Sequence, residues 1–171
     1  WAESLLLTLI EEAEELMSEN PSYNSCANFM LTATMGLNGF IAMGVEEDWA
    51  THMIGHELTA LCGLDHGETL AIVHPALMDV MREEKKGKLL QYAKRVWNIN
   101  LEDENKAIDL AIEKTENFFR SIGKKTRLSE NNIGDDVIEE IVKRFTDRGW
   151  CVGERGIVTP EKTRQILQRA K

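Results

Sequence analysis

The chain has 171 residues, enough for one domain with a substantial core. Hydrophobic residues make up 43% and charged residues 29%, and no apolar run approaches the ~20 residues that cross a bilayer, which excludes a membrane-spanning helix. The formal net charge of −9 excludes the basic surface that a phosphate backbone needs, so nucleic acid is not an expected partner.

The predicted elements are almost all helical, because no stretch alternates apolar and polar residues for long enough to make a strand. Leu5, Leu6, Ile10, Ala13 and Leu16 or Met17 share one stripe of a first helix that runs to about Ser18, before Asn20-Pro21. Its acidic run Glu11-Glu12-Ala13-Glu14-Glu15 reads as a solvated face. No cap residue precedes Trp1, and a helix without a start signal is expected to continue from upstream chain. Trp1-Ala2-Glu3-Ser4 also lacks the basic start of a signal peptide.

A second helix is predicted from about Ser22 to Ala42, free of charge and closed by Gly44. A helix apolar on all sides belongs in the middle of a bundle. Asp48 suits an N-cap for a helix over Trp49 to Cys62, and Gly63 suits its C-terminal glycine. The next helix starts near Asp65-His66 and runs to about Glu84, with a kink expected at Pro75. Lys85-Lys86-Gly87-Lys88 reads as a turn, Leu89 to Trp97 as an amphipathic helix, and Asp103 to Ile122 as a long one ended by Gly123. Leu128 to Gly134 reads as polar loop and Asp135 to Arg148 as helix. Thr159-Pro160 opens the last helix with proline in its first turn. Trp150 to Val158 carries the weakest signal.

Cys26, Cys62 and Cys151 are odd in number and far apart, which points to a reducing compartment rather than a disulfide framework. Cys26 and Cys62 read as small buried hydrophobes.

All four histidines lie between residues 52 and 74. His52 and His56 are i and i+4, so on a helix they share a face. On one unbroken helix His66 would lie about 21 Å from His52, at roughly 1.5 Å per residue, too far for a shared metal. A break at Gly63 removes that obstacle, since a following helix can fold back. Three histidines so placed, among Gly55, Gly63 and Gly67, point to a metal or catalytic site. His56-Glu57 does not begin a zinc-protease motif, because Ala60 stands where the second histidine is required. His74, before Pro75, reads as a partly buried or surface histidine.

The pattern His52, His56, His66-Gly67 resembles the signature H-x-x-x-H-x(9)-H-G of the iron-containing (group III) alcohol dehydrogenase family. Leu6-Leu7-Thr8-Leu9-Ile10-Glu11, Leu37-Asn38-Gly39, Asp48-Trp49-Ala50-Thr51-His52-Met53 and Leu89-Leu90-Gln91-Tyr92-Ala93 are similar to its NADPH-dependent aldehyde reductase or butanol dehydrogenase branch. The resemblance covers essentially the whole chain. It implies that residues 1–171 form the all-α, multi-helical C-terminal domain, of the dehydroquinate synthase-like kind, without a substantial sheet. It also implies an N-terminal α/β domain, absent from these residues, that binds NAD(P), with NADP expected from the branch. The family holds a divalent metal, iron or zinc, on one Asp and three His. His52 and His66 match the last two ligands, and His56 matches a non-ligand histidine that helps bind substrate or relay a proton. A small aldehyde or primary alcohol is the implied substrate, and a cytoplasmic homodimer the implied whole.

The family's first two ligands, an Asp and a His at i,i+4, and its glycine-rich nucleotide segment have no match here. These residues alone are therefore expected to bind metal poorly and to lack dehydrogenase activity. Two other readings stand beside this one. A free-standing helical metal-binding or interaction module would draw a missing ligand from Glu57, Asp65 or a partner. A metal-dependent hydrolase would need Glu57 as base, yet Glu57 lies off the His52/His56 face and reads better as a surface or supporting carboxylate.

Overall fold

The computed structural model describes residues 1–171. It contains eight α-helices: α1 (Ala2–Leu16), α2 (Tyr23–Leu37), α3 (Ala50–Cys62), α4 (His66–Val80), α5 (Lys86–Arg95), α6 (Glu104–Ser121), α7 (Asp135–Asp147) and α8 (Pro160–Arg169). There is no sheet, only one antiparallel bridge between Val152 and Val158. The all-α expectation holds.

Local chemistry explains most boundaries. The Ser22 and Asp103 side chains accept from the backbone N–H groups of Ser25 and Lys106, which caps α2 and α6. Thr159 does the same for α8, with Pro160 in the first turn. α3 starts one residue later than expected, with Trp49 rather than Asp48 at the N-cap position, while Asp48 accepts from Ala50 N at 2.8 Å just before the helix. Gly63 ends α3 at φ +70, a left-handed conformation that glycine adopts without penalty.

Three expected boundaries are corrected. α2 stops at Leu37 rather than Ala42, because Gly39 takes φ +85 and turns the chain before Gly44 is reached. α4 crosses Pro75 as one helix and ends at Val80 rather than Glu84. The predicted basic turn instead opens α5 at Lys86. The Lys86 ammonium lies 2.7 Å from Glu104 on α6, and Leu89 and Ala93 bury behind it. A tertiary partner thus overrides the local turn signal.

The principal core is shared by α3, α4, α7 and α8, with Ile54, Leu58, Ile72, Ile141, Phe145 and Ile166 at its centre. The expected polar loop at Leu128 to Gly134 is pinned to that core. Leu128 and Ile133 are buried, and Leu128 N donates to Ala170 O at 2.8 Å. A smaller cluster joins α4 to α5 and α6 through Met78, Leu89, Ile108 and Ile112.

α1 and α2 pack on each other outside both clusters, and α1 buries no residue fully. The expected central position of α2 is therefore wrong for these residues. Met30 is 68% and Leu37 74% exposed, and only Ser25 and Thr32 are buried. A charge-free sequence shows that a helix wants apolar company, not which element supplies it, and here only α1 does.

An apolar cleft of about 430 Å³ separates α1 from α4, α5 and α6, lined by Leu9, Leu77, Leu89, Phe118 and others. His74 lines it and is half-buried, as the sequence suggested. Its imidazole lies 3.5 Å from the Thr51 hydroxyl. Burial pushes the His74 pKa down to about 4.

α3 and α4 pack tightly at Gly55. A Cβ there would meet the Thr69 hydroxyl oxygen at 2.8 Å and the Thr69 Cβ at 3.4 Å. Thr69 is fully buried and its hydroxyl donates to His66 O at 2.8 Å, so it has little room to yield. Gly55→Ala should push the helices apart and lower the stability of the chain by about 1–3 kcal/mol, the range for overpacking a tight contact. Urea unfolding midpoints compare the two proteins; an unchanged midpoint would show that the contact can relax.

His74 also sets an acid limit. Because its folded pKa lies below the unfolded value of about 6.5, the unfolded chain takes up the proton first. Its contribution is whole above about 6.5 and is lost as pH falls from there towards about 4. His74→Asn should flatten the fall in unfolding free energy between pH 7 and pH 4, and an unaltered slope would refute this source.

Candidate metal and active site

α3 turns one row of side chains outward on the side away from the core. Trp49, His52 and His56 stand at i, i+3 and i+7, the spacing of one helical face. Ile54 and Leu58 occupy the opposite side and are fully buried. The Gly63 turn then reverses the chain, and His66, the first residue of α4, comes back against the row.

The three imidazoles predicted from spacing are brought together. The ring centre of His66 is 5.1 Å from that of His52 and 5.0 Å from that of His56, while His52 and His56 are 6.3 Å apart. Two imidazoles on one ion, with metal–nitrogen bonds of about 2.1 Å and near-tetrahedral angles, have ring centres roughly 5 Å apart. Either pair that includes His66 fits that spacing. His52 with His56 is too wide for it, so one tetrahedral ion does not take all three rings. No group of three or more His, Cys, Asp or Glu side chains in these residues is arranged to hold a metal. Two imidazoles at this spacing could both reach one ion, and imidazole suits both iron and zinc.

His52 is half-buried, and its pKa is held below the ordinary histidine value, first by burial and then by the His66 and His56 charges. This keeps the ring neutral, the form a metal accepts. His56 and His66 are exposed. The Trp49 indole packs edge-on against His52, ring centres 4.9 Å apart. His74 makes no ring contact with the three.

Glu57 is 7% exposed, so of the two readings, surface or supporting carboxylate, the surface one is corrected. It accepts from Arg144 on α7 at 3.0 Å and also from Arg148 at the C-cap of α7. Burial raises its pKa, but the two guanidinium groups outweigh that and hold it below the usual carboxylate range. A carboxylate held towards α7 by two guanidinium groups, with its pKa lowered, is a poor general base, which counts against the hydrolase reading. Cys26 and Cys62 are half-buried rather than buried, and Cys151 is exposed; all three are free thiols.

Sequence reasoning missed two parts of the site. The Trp49 contact could have been found from its i, i+3 relation to His52. The arginine pair on Glu57 could not, since nothing local joins α3 to α7.

The Fe-containing alcohol dehydrogenase family, C-terminal region, matches residues 1–170. The NADPH-dependent aldehyde reductase YqhD of Escherichia coli is 46% identical over the whole chain, which covers 44% of that protein. The NADP-dependent alcohol dehydrogenase 3 of Entamoeba histolytica is 38% identical over 84% of the chain and 36% of its own length. Among solved structures, the substrate- and cofactor-free aldehyde reductase YqhD from Escherichia coli superposes with a TM-score of 0.94, over 99% of this chain and 45% of that one. NADH-dependent butanol dehydrogenase A from Thermotoga maritima gives 0.90 at 29% identity, over 98% and 44%. The chain thus spans under half the length of the relatives it matches. It belongs to the iron-containing alcohol dehydrogenase family and corresponds to that family's C-terminal region.

Proposed function

We propose that these residues are the metal-bearing half of an NAD(P)-dependent aldehyde reductase or alcohol dehydrogenase, acting on small aldehydes and primary alcohols. The observation that carries the reading is the return of His66 to within 5.1 Å of His52 and 5.0 Å of His56. In this proposal His52 and His66 hold a divalent metal, iron or zinc, and further ligands and the nicotinamide site come from protein outside residues 1–171. NADP is proposed over NAD on two relatives of 46% and 38% identity, named NADPH- and NADP-dependent, although the butanol dehydrogenase relatives are named NADH-dependent. In this proposal the whole enzyme is a cytoplasmic homodimer.

When bound, the metal supplies Lewis acidity towards the alcohol or aldehyde oxygen, and the nicotinamide carries the hydride. The chain's own residues do the rest. His52 and His66 present ring nitrogens from two different helices, held close by the Gly55–Thr69 contact. His56, exposed one turn from His52, exchanges a proton with the substrate oxygen or solvent. The Glu57 clamp holds α3 against α7 so that this row keeps its direction.

In the full-length enzyme, His52→Ala and His66→Ala should each lose bound metal and activity together. His56→Ala should keep its metal and lose about 10²–10⁴-fold in kcat, the usual range for a general acid–base group. Metal analysis and NADPH-coupled butanal reduction read both. Metal lost from His56→Ala but retained in His52→Ala would reverse the assignment. The 171-residue chain alone should show neither butanal turnover nor tight stoichiometric metal. Tight metal on that chain would favour a free-standing metal-binding module instead.

A further inference from the structure

We propose that Trp49 is the specificity-determining wall of the substrate site, the surface on which the carbon chain of an aldehyde packs. The inference rests on the proposed function and adds the residue that reads the length of the aldehyde's carbon chain.

The indole is placed for that task. Trp49 shares the face of α3 that carries His52 and His56, one turn before His52 and two before His56. It is 41% exposed, so a large apolar ring stands open to solvent at the edge of the histidine cluster. Its other edge is fixed by the T-shaped contact with His52 at 4.9 Å. The backbone beneath it is fixed as well. Trp49 O accepts from Met53 N at 2.9 Å, and Asp48 is bound both to Ala50 N and to the Lys85 ammonium at 2.6 Å. The wall is therefore rigid, and a rigid apolar wall binds a chain without paying to order itself.

Distance sets which substrates feel it. His52 lies three residues beyond Trp49, about 4.5 Å along the helix axis at roughly 1.5 Å per residue. An extended carbon chain advances about 1.2 Å per bond, so a carbonyl held beside His52 sends its third or fourth carbon to the indole. Propanal barely reaches the ring, while hexanal lies along it. The effect of Trp49 should therefore grow with chain length. A ring that only props His52 would affect every aldehyde alike.

The test uses the full-length enzyme with NADPH and compares kcat/KM for hexanal and propanal. Trp49→Ala should lower the hexanal-to-propanal ratio roughly tenfold, the change expected when about two methylene groups lose their burial. Trp49→Phe should keep most of the ratio and guards against a variant that fails to fold. Metal content is measured in each. An unchanged ratio overturns the proposal, and so does an equal fall for both aldehydes with metal lost, which would make the indole a prop for His52. A wild-type enzyme that reduces no aldehyde would instead sink the functional reading on which this one rests.

Discussion

The close crossing of α3 and α4 is the constraint on which the rest depends. Gly63 takes the left-handed conformation that reverses the chain, and Gly55 removes the Cβ that would hold the two helices apart. Thr69 fills the space and ties itself back to His66 O. The same crossing has two products. Inward, Ile54 and Leu58 meet Ile72 and Val73 in the principal core. Outward, His66 meets His52 and His56. Core and histidine cluster are opposite faces of one packing solution, so the site cannot loosen without the core loosening too.

A crossing fixes how near two helices lie, but a helix can still roll about its own axis. The buried Glu57 carboxylate restrains that roll. A charge taken from water is tolerated only when paired, and Arg144 and Arg148 pair it from α7 and its C-cap. Arg148 in turn stacks over Trp150 at 4.6 Å, and Trp150 meets Phe145 edge-on at 5.6 Å. The chain then closes on itself through the Val152–Val158 bridge, where Gly153 lies against Ala50 and Asp48 at the start of α3. α3 is thus held at its first turn and again at its middle, bracketing the row of histidines.

Much of this was legible in the sequence, and the parts that were not share a cause. The all-helical class follows from apolar periodicity, and the α3–Gly63–α4 break follows from a glycine at the end of a strong pattern. These signals are local. The histidine cluster was legible because an i,i+4 pair and a break are local too, and the family signature supplied the roles. The surroundings of α2 were not legible, since a helix without charge does not say what covers it. Nor was the start of α5, where Lys86 reads as a turn until Glu104 on α6 is placed beside it. Glu57 looked like a surface or supporting group because its partners lie far along the chain. The stretch from Trp150 to Val158 had no period to find, because it is held by one bridge and by left-handed residues at Gly153, Arg155 and Gly156.

Ring spacing alone does not separate the roles of the histidines, because His66 stands equally near His52 and His56. Environment bears on the choice. A ligand works best neutral and sheltered, and His52 is half-buried, flanked by Trp49, with its pKa held down. A proton carrier works best where it can meet solvent, and His56 is exposed. The surroundings therefore favour His52 over His56 as the ligand that joins His66, and leave His56 as the proton-exchanging neighbour. The reverse division would leave the sheltered ring to exchange protons and the open one to exclude water from a metal.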